Sequence, residues 1–69
     1  MNIQKIREKL SSYLNQEHQF LYLGLRGQNE TFVGKVIRIY PRTFLIETTS
    51  GQKKSFSYSD YALKLLKIL

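Results

Sequence analysis

Along the first 16 positions apolar residues recur at helical spacing: Ile3, Ile6, Leu10, Tyr13 and Leu14 draw one stripe, and Lys5, Glu8, Lys9 and Ser12 lie opposite it. The spacing predicts a helix within residues 1–16, ended by the polar run at 15–18. A helix of about three turns is marginal alone in water, so its apolar stripe must lie against the rest of the chain.

From His18 the period shifts to two. Phe20 and Tyr22 fall on one face and Leu21, Leu23 and Leu25 on the other, which predicts a strand covered in part on both sides. Gly27-Gln28-Asn29-Glu30 supplies the residues of a turn, and the β-branched and aromatic run at 31–40 a second strand. Gly34, in the middle of that run, is a poor strand former; it implies a bulge, a sharp bend or the close approach of another backbone.

Tyr40-Pro41-Arg42 interrupts the apolar run. Proline has no N–H for a ladder and holds the residue before it extended, so two strands joined by a tight bend fit better than one continuous strand. Pro41 then takes the first central position of a turn and Arg42 projects from its tip. Residues 43–49 return with Phe44, Ile46 and Thr48 on one face. After a turn at 50–52, Lys54, Phe56 and Tyr58 alternate with Lys53, Ser55 and Ser57 as a fourth strand.

The tail reads two ways. Ala62, Leu65, Leu66 and Leu69 match a helical stripe, whereas an antiparallel sheet of four strands has open edges that a fifth would close. The reading adopted is a helical turn at 59–62 capped by Ser59 or Asp60, then a closing strand over 63–68. The expected fold is mainly β: an N-terminal α-helix (1–16), then a five-stranded, strongly bent antiparallel small barrel of SH3-like or Sm-like kind (18–69), together a single domain. On the second strand the Ile37 and Ile39 side is expected to fill the barrel, with Arg38 and Tyr40 outside.

Composition narrows the function. Sixty-nine residues without cysteine leave no disulfide or cysteine-held zinc to staple the fold, and a chain this short buries only about 60% of its unfolded surface. The core or a neighbouring copy must stabilise it, so a homo-oligomer is possible. The first ten residues interleave charges with apolar positions, unlike a secretory signal, and no apolar run approaches a membrane span. The expectation is a cytoplasmic protein with no membrane partner.

Eleven Lys and Arg against five Asp and Glu give a net charge of +6, which raises a polyanion among the candidate partners. Catalysis finds no support in the residues. His18 is the only imidazole and has no nucleophile pattern beside it, the carboxylates are scattered, and the glycines form no phosphate loop. No catalytic residue, metal ligand, cofactor or small-molecule substrate is expected.

Basic residues interleaved with aromatics are the main chemical signal. Lys35, Arg38, Tyr40, Arg42, Lys53 and Lys54 are the candidate contact residues, since cations neutralise phosphates and an exposed tyrosine stacks on an unpaired base. Each also has an ordinary structural explanation: the paired lysines as guards of a sheet edge, Arg38 as a solvent-facing strand residue, the tyrosines as core aromatics with bonded hydroxyls.

Tyr40-Pro41 with Phe44, and the segment Ser55-Phe56-Ser57-Tyr58-Ser59-Asp60, resemble the Veg family of small Firmicute proteins. Gly34, Tyr40, Pro41, Phe44, Ser57, Tyr58 and Asp60 stand at the matching positions in order, and the opening helix is similar too. The resemblance implies a non-catalytic small β-barrel that stimulates biofilm formation by opposing a DNA-binding repressor. Where many members carry a basic Gly-Arg-Arg-Lys-like loop, this chain has Gly27-Gln28-Asn29-Glu30 with Arg26 beside it. The partner is therefore expected to be a protein regulator or a nucleic acid, the alternative being a general RNA- or single-stranded-DNA-binding barrel with no repressor partner.

Overall fold

The computed structural model describes residues 2–24 and 27–69. Leu25, expected on the same face of the first strand as Leu21 and Leu23, and Arg26 lie outside the described residues. The elements run α1 (Ile3–Ser11), β1 (Glu17–Leu23), β2 (Asn29–Ile39), β3 (Thr43–Thr48), β4 (Lys53–Ser57), α2 (Tyr58–Ala62) and β5 (Leu66–Ile68). The five strands form one antiparallel sheet in the order β4-β3-β2-β1-β5.

β5 pairs with β1, so it does not join the edges as expected: the sheet is open, with β4 and β5 at its two sides. It is nevertheless strongly curled. In a flat sheet β1 and β4 would lie about 14 Å apart, three strand spacings. Instead the rings of Tyr22 on β1 and Phe56 on β4 have centroids 5.2 Å apart, and Phe32 on β2 stacks on Phe56 at 6.1 Å.

That inward face holds the core. Phe20, Val36, Phe44, Ile46, Phe56, Tyr58 and Leu66 are buried there, with Leu10 of α1 laid across them. Aromatic contacts run from Phe20 through Phe32, Phe56 and Phe44 to Tyr58. Stacked and tilted ring pairs add about 0.5–1.5 kcal/mol each beyond their buried area, which helps so short a chain hold together.

α1 begins where the Asn2 side chain accepts from the Lys5 N–H at 3.1 Å, satisfying one of the free amides of the first turn. It ends at Ser11, before the last two members of the apolar stripe. Asn15 then takes a left-handed φ of 61°, a conformation asparagine tolerates better than most residues. Its N–H donates to the Val36 carbonyl at 2.8 Å, and Leu14 bridges to Val36, so the helix end is tied to β2. Ile3, expected on the buried stripe, is 41% exposed.

Phe44, Ile46 and Thr48 are buried together as expected, while the facing of β2 needs correction. Val36, not Ile37, fills the core, and a bulge at Ile37 sets Val36 opposite Ile46 but Arg38 opposite Leu45. One unpaired residue reverses the alternation, so Phe32 and Gly34 face inward before the bulge and Ile39 after it. Gly34 is not the bulge. A Cβ at Gly34 would stand 2.6 Å from the Glu47 carbonyl oxygen, so β3 passes too close for any side chain.

The tail resolves as helical turn plus strand with shifted limits. Ser57, not Ser59 or Asp60, is the cap: its hydroxyl accepts from the Asp60 N–H while the Asp60 carboxylate accepts from the Ser57 N–H, both at 3.2 Å. Lys64 at φ 61° turns the chain, and β5 starts at Leu66 rather than at residue 63.

Candidate functional site

The bend at Tyr40-Pro41-Arg42 is a tight hairpin turn. The Tyr40 N–H donates to the Thr43 carbonyl at 2.8 Å, and Pro41 and Arg42 fill the loop between them, where a missing N–H costs no ladder bond. The first residue of α2 clamps this corner. The Tyr58 hydroxyl donates to the Tyr40 carbonyl and the Tyr58 N–H to the Arg42 carbonyl at 3.3 Å. Phe44 stacks on the same Tyr58 ring at 5.9 Å. Pro41, Phe44, Ser57, Tyr58 and Asp60 thus form one structural unit around the corner.

What that unit presents is Arg38, Tyr40 and Arg42, all exposed, Tyr40 by 45%. Arg38 and Tyr40 face outward because the bulge restored them to that side. The outward cross-strand neighbours here are uncharged: Leu45 opposite Arg38, and Thr43 paired to Ser57.

The other basic candidates sit differently. Lys35 and Lys53 share the outward face, but the strand registers interleave them with carboxylates in the order Glu17, Lys35, Glu47, Lys53. Opposite charges directly across strands favour that register and lower the field the lysines project. Lys54 lies on the inward side. Its ammonium pairs with Glu30 at 2.9 Å and sits 5.4 Å from the centre of the Phe32 ring, closing the gap between β4 and β2. The structure therefore leaves Arg38 and Tyr40 exposed on the outward side next to the turn that carries exposed Arg42, sets Lys35 and Lys53 among acids on that face, and turns Lys54 away.

A second basic surface was not legible in the sequence. Lys9 of α1, Tyr13 just beyond it, Tyr61 of α2, and Lys64 and Lys67 around β5 line one groove of about 560 Å³. The only sequence signal was the pair Lys64 and Lys67 within the apolar tail; nothing there connected them to Lys9, more than fifty residues earlier.

His18, on the inward side of β1 opposite Gly34, meets the Tyr13 ring edge-on at 5.0 Å. Its Nε2 is buried, with no hydrogen-bond partner among the described residues. Among the described residues no three His, Cys, Asp or Glu side chains gather in a way that could hold a metal ion. No described helix is long and apolar enough to cross a membrane.

No family model matches this chain, and no curated protein matches it.

Proposed function

We propose that the protein is a non-enzymatic binding module, a small barrel of the SH3-like or Sm-like type, that holds single-stranded nucleic acid on its Arg38, Tyr40 and Arg42 corner. One observation carries this: two guanidinium groups and an exposed tyrosine ring are set on a backbone clamped by Tyr58, with no acid opposite them. The guanidiniums neutralise phosphates and the ring stacks on a base, a contact worth about 1–3 kcal/mol. A pinned corner loses little further freedom when it is occupied.

The test is a fluorescence-anisotropy titration with single-stranded RNA, single-stranded DNA and duplex DNA over a salt series, repeated on Arg38→Glu/Arg42→Glu. Salt-sensitive binding to single strands that the double substitution abolishes is expected. Absence of binding to all three at low salt overturns the proposal.

A second reading follows from the likeness to Veg: a cytoplasmic regulator of transcription and biofilm formation that contacts a protein. The half-exposed Leu21, Val33, Ile37 and Leu45 on the outward face favour it, since apolar side chains grouped among cations suit a protein surface. A protein partner held in salt that strips oligonucleotides would select this reading over the first.

A further inference from the structure

The groove at β5 is a different surface from the corner, with its own chemistry. Its lining includes Leu66 and Ile68, which face inward, and Lys67, which faces outward, so it runs along the edge of the strand rather than over either face. α1 contributes Ile6 and Lys9 to the lining, and the segment after it contributes Tyr13.

That edge is unpaired. The Leu23 N–H donates to the Leu65 carbonyl at 2.7 Å and the Leu69 N–H to the Gln19 carbonyl at 2.8 Å. Residues 65, 67 and 69 thus turn their backbone groups toward β1, and by antiparallel alternation Leu66 and Ile68 turn theirs to the open side. An exposed strand edge is a template for another strand.

We infer that this groove takes an extended, acidic segment of a partner protein as a sixth strand beside β5. Lys9, Lys64 and Lys67 line it and, among the described residues, no carboxylate side chain does, which selects an acidic occupant. The open edge offers N–H donors and C=O acceptors in alternation, which a peptide backbone satisfies together; phosphates accept but do not donate. The free edge of a second copy's β4 fits poorly, because Lys53 and Lys54 would meet Lys64 and Lys67. The pleat dictates the pattern of the segment: apolar residues directed toward Ile6 and Tyr13 alternate with acids beside Lys67. The inference is independent of the nucleic-acid site.

The probe is a synthetic peptide alternating valine and glutamate, titrated into the isotope-labelled protein while backbone amide resonances and their hydrogen exchange are followed. Shifts centred on Leu66, Lys67 and Ile68, with slowed exchange at the Leu66 and Ile68 amides, are expected. Lys67→Glu should weaken the peptide about tenfold, the factor set by one close charge pair reversed. On the unaltered protein, methylating the peptide's backbone nitrogens on the β5 side should abolish binding. Unmoved Leu66 and Ile68 amides, equal binding of a valine–lysine peptide, displacement of the peptide by single-stranded oligonucleotide, or self-association through this edge would each overturn the inference.

Discussion

The Tyr58 hydroxyl donates to the Tyr40 carbonyl, 18 residues earlier in the chain. This bond joins the start of α2 to the corner that carries Arg38, Tyr40 and Arg42, and it is made by a side chain that is 1% exposed. Tyr58→Phe keeps the ring and its stack on Phe44 but leaves the Tyr40 carbonyl without this donor. A loss of about 1 kcal/mol in urea unfolding is expected, together with weaker oligonucleotide binding as the corner loosens. Unchanged stability would mean that the clamp contributes nothing.

Gly34→Ala separates close approach from backbone freedom. The new methyl would meet the Glu47 carbonyl, which belongs to the β2–β3 ladder and cannot move alone. A destabilisation of about 1–3 kcal/mol is expected from overpacking. Gly51→Ala has open space but a φ of 88°, so its smaller cost of about 1 kcal/mol comes from strain. Chemical denaturation of both variants checks the order.

At the capping box, Ser57→Ala removes an acceptor from the first turn of α2 and should cost about 0.5–2 kcal/mol. Because Ser57 and Asp60 bond each other reciprocally, Asp60→Ala added to Ser57→Ala should cost less than the sum of the single changes. Strict additivity in the double-mutant cycle would show that the two bonds act separately.

The cations are predicted to divide by position. Arg42→Ala should lower the slope of log affinity against log salt by about 0.7 for single strands, the value for one phosphate no longer neutralised. Lys54→Met should leave that slope unchanged, because its ammonium is committed to Glu30, and should alter stability by no more than about 1 kcal/mol. Anisotropy titrations over salt decide both.

His18→Phe keeps an aromatic edge against Tyr13 and removes the buried, unpartnered Nε2. A gain of about 1 kcal/mol in thermal or urea unfolding is expected. A loss would point to a hydrogen-bond partner for that nitrogen.

Local chemistry alone determined the stop at Pro41, where a missing N–H cannot join a ladder, and the two-residue alternation of Phe44, Ile46 and Thr48. It also determined the turn at Gly51, whereas the tail after Asp60 read locally as helix and its strand was expected only from the need to cover open sheet edges. Tertiary structure decided what depends on neighbours distant in sequence. The stripe from Ile3 to Leu14 promised more helix than forms: the chain leaves the helix after Ser11, and Leu14 bridges to Val36 instead. The side of β2 that fills the core turned on a single bulge at Ile37, and periodicity cannot place an inserted residue that only the register with β3 reveals. Lys54 parts from Lys53 by simple alternation along β4, but its partners are tertiary: the curl of the sheet brought Glu30 and Phe32 within its reach. The groove of Lys9, Lys64 and Lys67 has the same origin: charge is written in the sequence, but its concentration at one edge exists only once the fold brings α1 and β5 to a common groove.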